Sequence, residues 1–216
     1  MSDMKRSLYR KSSSLLSRSH GVTLIEMMVA ILVLSIGLLG IAGLQAATSK
    51  YQINTWARSS ASMLLSDLSE RVRVNADAAG TSFAEEGVTK TSLYLLGDTW
   101  NAQQSNALTI SKNCETSACT STERATYDLR IWRQRVRAGL PQGAAWIEGN
   151  RRDGLDVTMM WFDKENLDKA STDTTAALVA ARVCDGTETG MAQQSCCPED
   201  AAVPNGARCI RFSFIP

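Results

Sequence analysis

Histidine is almost absent from this sequence of 216 residues. The single histidine, His20, lies in a basic, serine-rich stretch near the N-terminus, so a serine–histidine or cysteine–histidine catalytic pair is excluded from the rest of the chain. The sequence also lacks a glycine-rich phosphate-binding loop and a Cys-x-x-Cys redox pair. Acidic pairs such as Glu85 and Glu86 are typical of solvated loops. We therefore expect no enzyme, no catalytic residue and no cofactor.

Charge is absent between Met27 and Leu44, where Ser35 is the one polar interruption apart from glycine. A helix of this length extends roughly 27 Å at about 1.5 Å per residue. This is close to the thickness of the hydrocarbon core of a bilayer. The pattern predicts a membrane span at about residues 24–44.

Basic residues concentrate before this run. Residues 1–21 hold five of the 23 basic residues and one of the 22 acidic ones, so the remainder has a net charge near −3. Positive charge on one side of an apolar span keeps that side in the cytoplasm, which places the residues after Leu44 across the membrane. The remainder has no concentrated basic surface for nucleic acid, because the run from Arg130 to Arg137 is local.

The first acidic residue of the apolar segment is Glu26, which follows Gly21 in the sequence Gly-Val-Thr-Leu-Ile-Glu. A carboxylate within a membrane span costs about 2.5 to 3.5 kcal/mol on insertion scales and is expected to have a partner. An ordinary single-pass anchor, with its glutamate solvated at the cytosolic end, is the alternative. A secretory signal peptide fits less well, because its small-residue cleavage site follows the apolar run, whereas Gly21 precedes it.

Residues 21–26 resemble the class III signal of type IV pilins and type II secretion pseudopilins. The resemblance implies that a prepilin peptidase cuts between Gly21 and Val22 and methylates the new amine of Val22. It also assigns the segment of Thr23, Leu24, Ile25 and Glu26 to assembly. Glu26 then pairs with the amine of a neighbouring subunit, and two charges about 4 Å apart attract by about 4 kcal/mol at an effective dielectric of 20.

Beyond Leu44 the apolar residues recur at intervals of three and four, as on one face of a helix. They are Ala57, Ala61, Leu64, Leu65, Leu68 and Val72. We predict a helix from about Thr23 to about Asn75, with Gly80 as a stop signal. Within its apolar part, Gly40 and Gly43 are interpreted either as sites of close contact with another helix or as tolerated glycines. Whether the helix melts locally near Gly37 to Gly43 on assembly is left open.

The organisation predicted is a basic leader (1–21), a long helix (22–80) and a globular domain (81–216). Strands are expected at 144–147, 155–162 and 209–215, with a hairpin connection at 149–154 and a second helix at 122–140. The fold class is therefore α+β and pilin-like, with the helix packed on a small antiparallel sheet and disulfides tying the C-terminal loops.

A narrower resemblance covers roughly residues 114–162. This segment is similar to minor pilins of the type IV pilus modification protein PilV type. The residues that carry the resemblance are Cys119, Tyr127-Asp128-Leu129, Trp132 and Leu140-Pro141-Gln142-Gly143, followed by a strand. Trp132 and Tyr127 are also interpreted as core residues of an amphipathic helix, which concerns packing rather than identity.

All six cysteines lie on the side assigned to the oxidising compartment, where disulfides are expected. They are Cys114, Cys119, Cys184, Cys196, Cys197 and Cys209. Of 15 pairings, we favour Cys114 with Cys119, and Cys184 with Cys196 or Cys197, the remaining one joining Cys209. A zinc site is disfavoured because paired Cys-x-x-Cys ligands are absent, and we expect no metal.

These features predict a minor pilin that primes or supports type IV pilus assembly near the tip, with roles in adhesion or twitching motility. A type II secretion pseudopilin and a DNA-uptake pilin are the alternatives. The expected partners are the prepilin peptidase and N-methyltransferase, other minor pilins, the major pilin, the inner-membrane assembly platform and a tip adhesin. The expected location is the bacterial inner membrane, with the globular domain in the periplasm, and then the cell-surface pilus.

Overall fold

The computed structural model describes residues 21–80, 91–164, 166 and 177–216. The helices are α1 (Leu24–Val74), α2 (Trp100–Ser105), α3 (Ser121–Gly139) and α4 (Met191–Ser195), with short 3-10 helices at Ala76–Ala79 and Glu199–Ala201. The strands are β1 (Ala144–Asn150), β2 (Gly154–Phe162) and β3 (Ala207–Phe214). The α+β class expected from the sequence is confirmed. The chain forms two compact units, one up to Ala47 and one from Thr48 onward.

The three strands form an antiparallel sheet in the order β1-β2-β3. Val157 in β2 lies opposite Ile147 in β1 and Phe212 in β3. Thr158, the next residue, lies opposite Trp146 and Arg211, so these side chains belong to the other face of the sheet. The sheet therefore has one apolar face and one mixed face.

The apolar face packs against the second half of α1 and against α3. The predicted stripe on α1 is confirmed, since Ala57, Ala61, Leu64, Leu68 and Val72 are buried and Leu65 packs half-buried against them. The same core contains Trp132 and Val136 of α3 and Leu155, Val157, Met159 and Trp161 of β2. The apolar stripe of α1 is thus buried against α3 and the sheet.

A smaller core lies on the mixed face of the sheet. It contains Trp100, Ala144, Met160, Cys197, Ala201, Ala207 and Cys209. These residues come from α2, from all three strands and from the disulfide-bonded segment before β3. This core joins the C-terminal loop to the sheet through apolar contact as well as through covalent bonds.

Helix α3 begins at Ser121, one residue earlier than predicted, because Thr120 caps it. The Thr120 hydroxyl oxygen accepts from the backbone N–H of Glu123 at 3.3 Å, and the Glu123 carboxylate accepts from the N–H of Thr120 at 2.9 Å. This reciprocal pair is a capping box. At the other end, Gly143 is required because an added Cβ would collide with the carbonyl oxygen of Val136.

Other boundaries also differ from the sequence prediction. Strand β1 continues to Asn150, and β3 begins at Ala207 instead of residue 209. The connection between β1 and β2 is three residues long, and Gly149, the second-last residue of β1, has φ +102°, a conformation that favours glycine. The C-terminal loop between Cys184 and β3 contains α4. Its five residues are too short for a helical period to be recognised in the sequence.

Candidate processing and assembly site

The predicted processing segment lies at the start of α1. Gly21, Val22 and Thr23 precede the helix and are exposed, and among the described residues nothing beyond its chain neighbours lies within 4 Å of where a Cβ on Gly21 would be. Glu26 lies in the first turn of α1. The peptide bond between Gly21 and Val22 is therefore outside the helix and accessible among the residues that the structure describes.

Thr23 has a local role that the sequence analysis missed, since we assigned it only to assembly. Its hydroxyl oxygen accepts a hydrogen bond from the backbone N–H of Glu26 at 3.3 Å, and its carbonyl oxygen accepts from the same group at 3.1 Å. The signal was present in the sequence, because Thr-x-x-Glu is the capping-box pattern. Thr23 thus fixes where the helix begins, and it places the Glu26 carboxylate in the first turn, where the helix dipole favours negative charge.

The apolar part of α1 is bare. From Gly21 to Ser49 every residue is exposed, and Leu24, for example, keeps 79% of its surface accessible. The Ser35 hydroxyl donates to the carbonyl oxygen of Leu32 at 2.8 Å, so this polar group is satisfied within the helix. By length and composition α1 is long and apolar enough to cross a membrane. A helix that is apolar all round requires lipid or other helices around it.

The glycines of this segment have no packing role within the described chain. A Cβ added at Gly37, Gly40 or Gly43 would meet no atom within 4 Å. Both interpretations made from the sequence, close contact with another helix and tolerated glycine, therefore stay open.

Residues 16–42 match the family model of the prokaryotic N-terminal methylation motif. The motif indicates a type IV pilin-like protein. Such a motif is processed by prepilin peptidase, and proteins that carry it assemble with other pilins in the membrane. The exposed apolar part of α1 fits a membrane anchor. No curated protein and no solved structure matches the chain.

In the compact unit from Thr48 onward, a partly buried polar cluster fixes the second half of α1 to α3. The Arg71 guanidinium binds Asp67 one turn before it at 3.0 Å and Asp128 of α3 at 2.9 Å. The Tyr94 hydroxyl donates to the other carboxylate oxygen of Asp128 at 3.1 Å. The Asn75 amide donates to the Tyr94 hydroxyl oxygen at 3.0 Å and to the carbonyl oxygen of Ser121.

The cluster keeps Tyr94 in its neutral, donating form. Burial raises the pKa of the Tyr94 phenol, and the nearby charge of Asp128 raises it further, while the hydrogen bond from Asn75 acts in the opposite direction. The net pKa lies well above the usual range. No periodic pattern predicts this cluster, because its contacts other than the pair of Asp67 and Arg71 join residues that are 19 to 57 positions apart.

A second polar contact between the two helices lies within the core. The indole N–H of Trp132, a residue of the narrower resemblance, donates to the carbonyl oxygen of Leu64 at 2.7 Å. Trp132 is fully buried. Its position confirms the interpretation of Trp132 as a core residue and adds a hydrogen bond that orients its ring.

The arginines of α3 are engaged within the protein. Arg133 pairs with Asp98 and Arg135 with Asp67, both at 2.8 Å. Arg130 and Arg137 donate to backbone carbonyl oxygens of Thr109 and Asn106, as Gln134 does to that of Leu108. Arg130, Gln134 and Arg137 thus hold the segment between α2 and α3 against the helix, which gives the basic run a structural role.

Every cysteine is disulfide-bonded. The pairs are Cys114–Cys119, Cys184–Cys196 and Cys197–Cys209. These are the pairings that the sequence favoured, and Cys196 is the partner of Cys184. The adjacent cysteines thus connect the loop that contains α4 to strand β3. Because no cysteine is free, none offers a thiolate to a metal ion.

Proposed function

We propose that this pilin-like protein is a minor pilin of the PilV type that primes or supports assembly of a type IV pilus near its tip. The observation that carries the proposal is the exposed apolar half of α1, with one carboxylate at its capped start, joined in sequence to a domain with its own core. This arrangement suits a subunit that is stored in a membrane and then transferred to a helical bundle. Adhesion and twitching motility are the cellular processes that such a subunit serves.

In this proposal residues 1–21 form a leader that prepilin peptidase removes, and the new amine of Val22 is methylated. Residues 22–80 form the long helix, and residues 81–216 form a periplasmic domain that later stands on the pilus surface. The exposed position of Gly21 and Val22 before the helix supports access by the peptidase. Residues 1–20 and 81–90 lie outside the described residues.

Glu26 then acts as a register pin. A carboxylate within lipid or within a helical bundle needs a cation, and the described residues from Met27 to Leu44 supply none. The amine of Val22 on a neighbouring subunit supplies one, provided that the two helices adopt a single axial stagger. Neighbouring subunits would include the major pilin and other minor pilins, joined at the inner-membrane assembly platform and capped by a tip adhesin.

The experiment that tests processing replaces Gly21. We expect Gly21→Leu to leave the precursor at full size on a gel, because a bulky side chain at the cleavage site blocks the peptidase. Gly21→Ala is the matched control, since a small residue is retained, and we expect it to be processed. Normal processing of the leucine variant would contradict the assignment of the signal.

The experiment that tests assembly replaces Glu26. We expect Glu26→Ala to be cleaved normally but to be poorly incorporated into sheared pili, because the charge that sets the stagger is lost. Glu26→Asp is the matched control, since it keeps a carboxylate, and it should retain more incorporation than the alanine variant. Unimpaired incorporation of Glu26→Ala would reject the register pin.

The methylation motif is shared with type II secretion pseudopilins, so a third experiment separates the two systems. Deletion of the gene should reduce surface piliation and leave type II secretion unchanged. The reverse result would assign the protein to secretion. The residues of the PilV resemblance support the pilus, with Cys119 in a disulfide, Trp132 in the core and Gly143 in a tight turn.

A further inference from the structure

The three disulfides differ in how far they are buried. Cys197 and Cys209 are both buried, and their disulfide belongs to the small core on the mixed face of the sheet. In each of the other two pairs one member is buried and the other, Cys184 or Cys119, is half-buried. A thiolate must reach a sulfur atom to cleave a disulfide, so exposed disulfides are the labile ones. The disulfides of Cys184 and Cys119 are therefore open to attack by a thiolate, whereas Cys197–Cys209 is protected.

The loop closed by Cys114 and Cys119 has other bonds that hold it. The N–H of Ser117 donates to the carbonyl oxygen of Asn113 at 3.1 Å, which closes a turn inside the loop. The Arg124 guanidinium of α3 donates to the carbonyl oxygen of Cys114 at 3.2 Å and fixes the loop to the helix. Cleavage of this disulfide should therefore leave the loop in place.

Helix α4, in contrast, has little besides a disulfide to hold it. None of its five residues is buried, and two of its side chains line a cleft together with residues 210–213 of β3. Among the residues that the structure describes, no hydrogen bond joins α4 to the sheet. Its backbone bonds stay within the helix and its ends, from Gln194 to Gly190 at 3.3 Å and from Cys196 to Ala192 at 3.1 Å. Because so short a helix is not stable by itself in water, α4 depends on the disulfide of Cys196, the residue directly after it.

The two ends of the loop that contains α4 are held independently of that disulfide. The N–H of Cys184 donates to the carbonyl oxygen of Cys197 at 2.9 Å, and the N–H of Cys197 donates to that of Arg182 at 2.7 Å. The Cys197–Cys209 disulfide joins this bridge to β3. Neither contact needs the disulfide of Cys184, so its cleavage frees residues 185–195 and leaves the rest of the domain folded.

We infer that the Cys184–Cys196 disulfide is a reducible clamp, which holds α4 beside β3 and which a dithiol opens without unfolding the domain. One thiolate of the dithiol attacks the Sγ atom of Cys184, the bond to Cys196 breaks, and the Cys196 sulfur leaves as a thiolate and takes up a proton. The second thiolate of the dithiol attacks the mixed disulfide and releases Cys184, which also takes up a proton.

The dithiol ends as a disulfide, and the protein gains two electrons and two protons. With the clamp open, α4 unwinds and the cleft beside residues 210–213 loses one of its walls. This inference concerns the C-terminal loop alone and does not depend on the assignment to a pilus.

The first test identifies which disulfide a dithiol reduces. The full chain in nonionic detergent is treated with dithiothreitol at neutral pH without denaturant, its free thiols are alkylated with iodoacetamide, and the labelled cysteines are located by tandem mass spectrometry. We expect loss of the Cys184–Cys196 bond and label on both residues, while Cys197–Cys209 stays intact until urea is added. Persistence of Cys184–Cys196, or loss of Cys197–Cys209 at the same rate, would overturn the inference.

The second test measures whether the clamp holds α4. Hydrogen exchange is followed at single residues in the oxidised and the reduced chain. We expect exchange at Gln194 and Cys196 to become faster by about twofold to tenfold on reduction, as for the loss of one hydrogen bond each. Exchange at Ala145 in β1 should not change, because its N–H is bonded to the side chain of Gln103 at 3.0 Å. Unchanged exchange in α4, or faster exchange at Ala145, would contradict a local clamp.

Two double variants separate the clamp from the other accessible disulfide. Cys184→Ser with Cys196→Ser removes the clamp, and Cys114→Ser with Cys119→Ser is the matched control, because it also removes a disulfide with one half-buried member. Without any dithiol, only the first variant should show the faster exchange in α4. Equal exchange in α4 in the two variants would overturn the inference. If near-UV circular dichroism shows that the first variant is unfolded, the reduction experiment on the unmodified chain decides.

Discussion

The two halves of α1 share one helical geometry and differ in what surrounds them. In the half up to Ala47 every residue is exposed, and the apolar side chains have no cover in the chain. In the half from Thr48 onward an apolar stripe at intervals of three and four is buried against α3 and the sheet. The first half therefore depends on lipid or other subunits, whereas the second half is stabilised by its own domain.

The polar groups of the two halves differ in the same way. Glu26, in the first half, has its partner outside the chain if the register pin is correct. Arg71, in the second half, binds both Asp67 and Asp128 within the fold. The comparison separates residues that act between subunits from residues that act within one, and matched substitutions in the two halves can test it.

The largest effect is expected from removing the same side chain in each half. Leu68 is fully buried, so Leu68→Ala should lower the free energy of unfolding of the domain by about 2 to 5 kcal/mol. Leu38 keeps 57% of its surface exposed, so Leu38→Ala should leave domain stability unchanged. Urea unfolding of the full chain in detergent, followed by tryptophan fluorescence, measures both. Equal losses in the two variants would show that the halves are not independent.

The part of the fold that the sequence predicted is the part governed by local periodicity. The stripe from Ala57 to Val72 repeats at helical spacing, and residues 155–162 alternate as a strand does, so both were recognised with small errors at their ends. The apolar run before Leu44 was recognised for the same reason. Gly21, Val22 and Glu26 stay predictions as functional residues, since they rest on the motif.

The rest depended on contacts between distant residues. Asp128 was noted only as part of the narrower resemblance, without a partner, yet it contacts Arg71 and Tyr94, which are 57 and 34 residues away. Gln103 closes a sheet edge 42 residues further on. Nor could spacing decide between Cys196 and Cys197, because adjacent residues differ in direction, which only the fold fixes. Side-chain directions of this kind follow from packing and leave no periodic trace in the sequence.

The second largest effect is expected at the cluster that joins α1 to α3. Asp128→Ala should destabilise the domain by about 1 to 3 kcal/mol, because Arg71 and the Tyr94 hydroxyl lose a buried partner, although Arg71 retains Asp67. Glu70→Ala is the control, since its pair with Arg73 is exposed and such pairs contribute about 0 to 1 kcal/mol. Thermal unfolding at neutral pH compares the two, and a larger loss for Glu70→Ala would contradict the assignment.

A smaller effect is expected from the two capping threonines. Thr120→Ala should lower domain stability by about 1 kcal/mol, because it removes the oxygen that accepts from the N–H of Glu123. Thr23→Ala makes the same change at the start of α1. It should leave the stability of the domain unchanged, because the residues in the first half of α1 are exposed. Urea midpoints measure both variants. A loss in Thr23→Ala equal to that in Thr120→Ala would contradict the separation of the two halves.

The smallest effect is expected from acid, which should lower the stability of the domain by protonating Glu123 of the same capping box. The hydrogen bond from Lys112 and then the backbone hydrogen bond from Thr120 lower the pKa of Glu123 below its usual value. Because the folded pKa is lower than the unfolded one, about 4.3, the stabilisation is fully present above that pH and is lost as pH falls through the folded pKa. Glu123→Gln keeps an acceptor for Thr120 without a titrating charge. Its urea midpoint should therefore decline less than that of the unmodified chain between pH 7 and about pH 3, and an equal decline would show that this carboxylate contributes nothing to acid sensitivity.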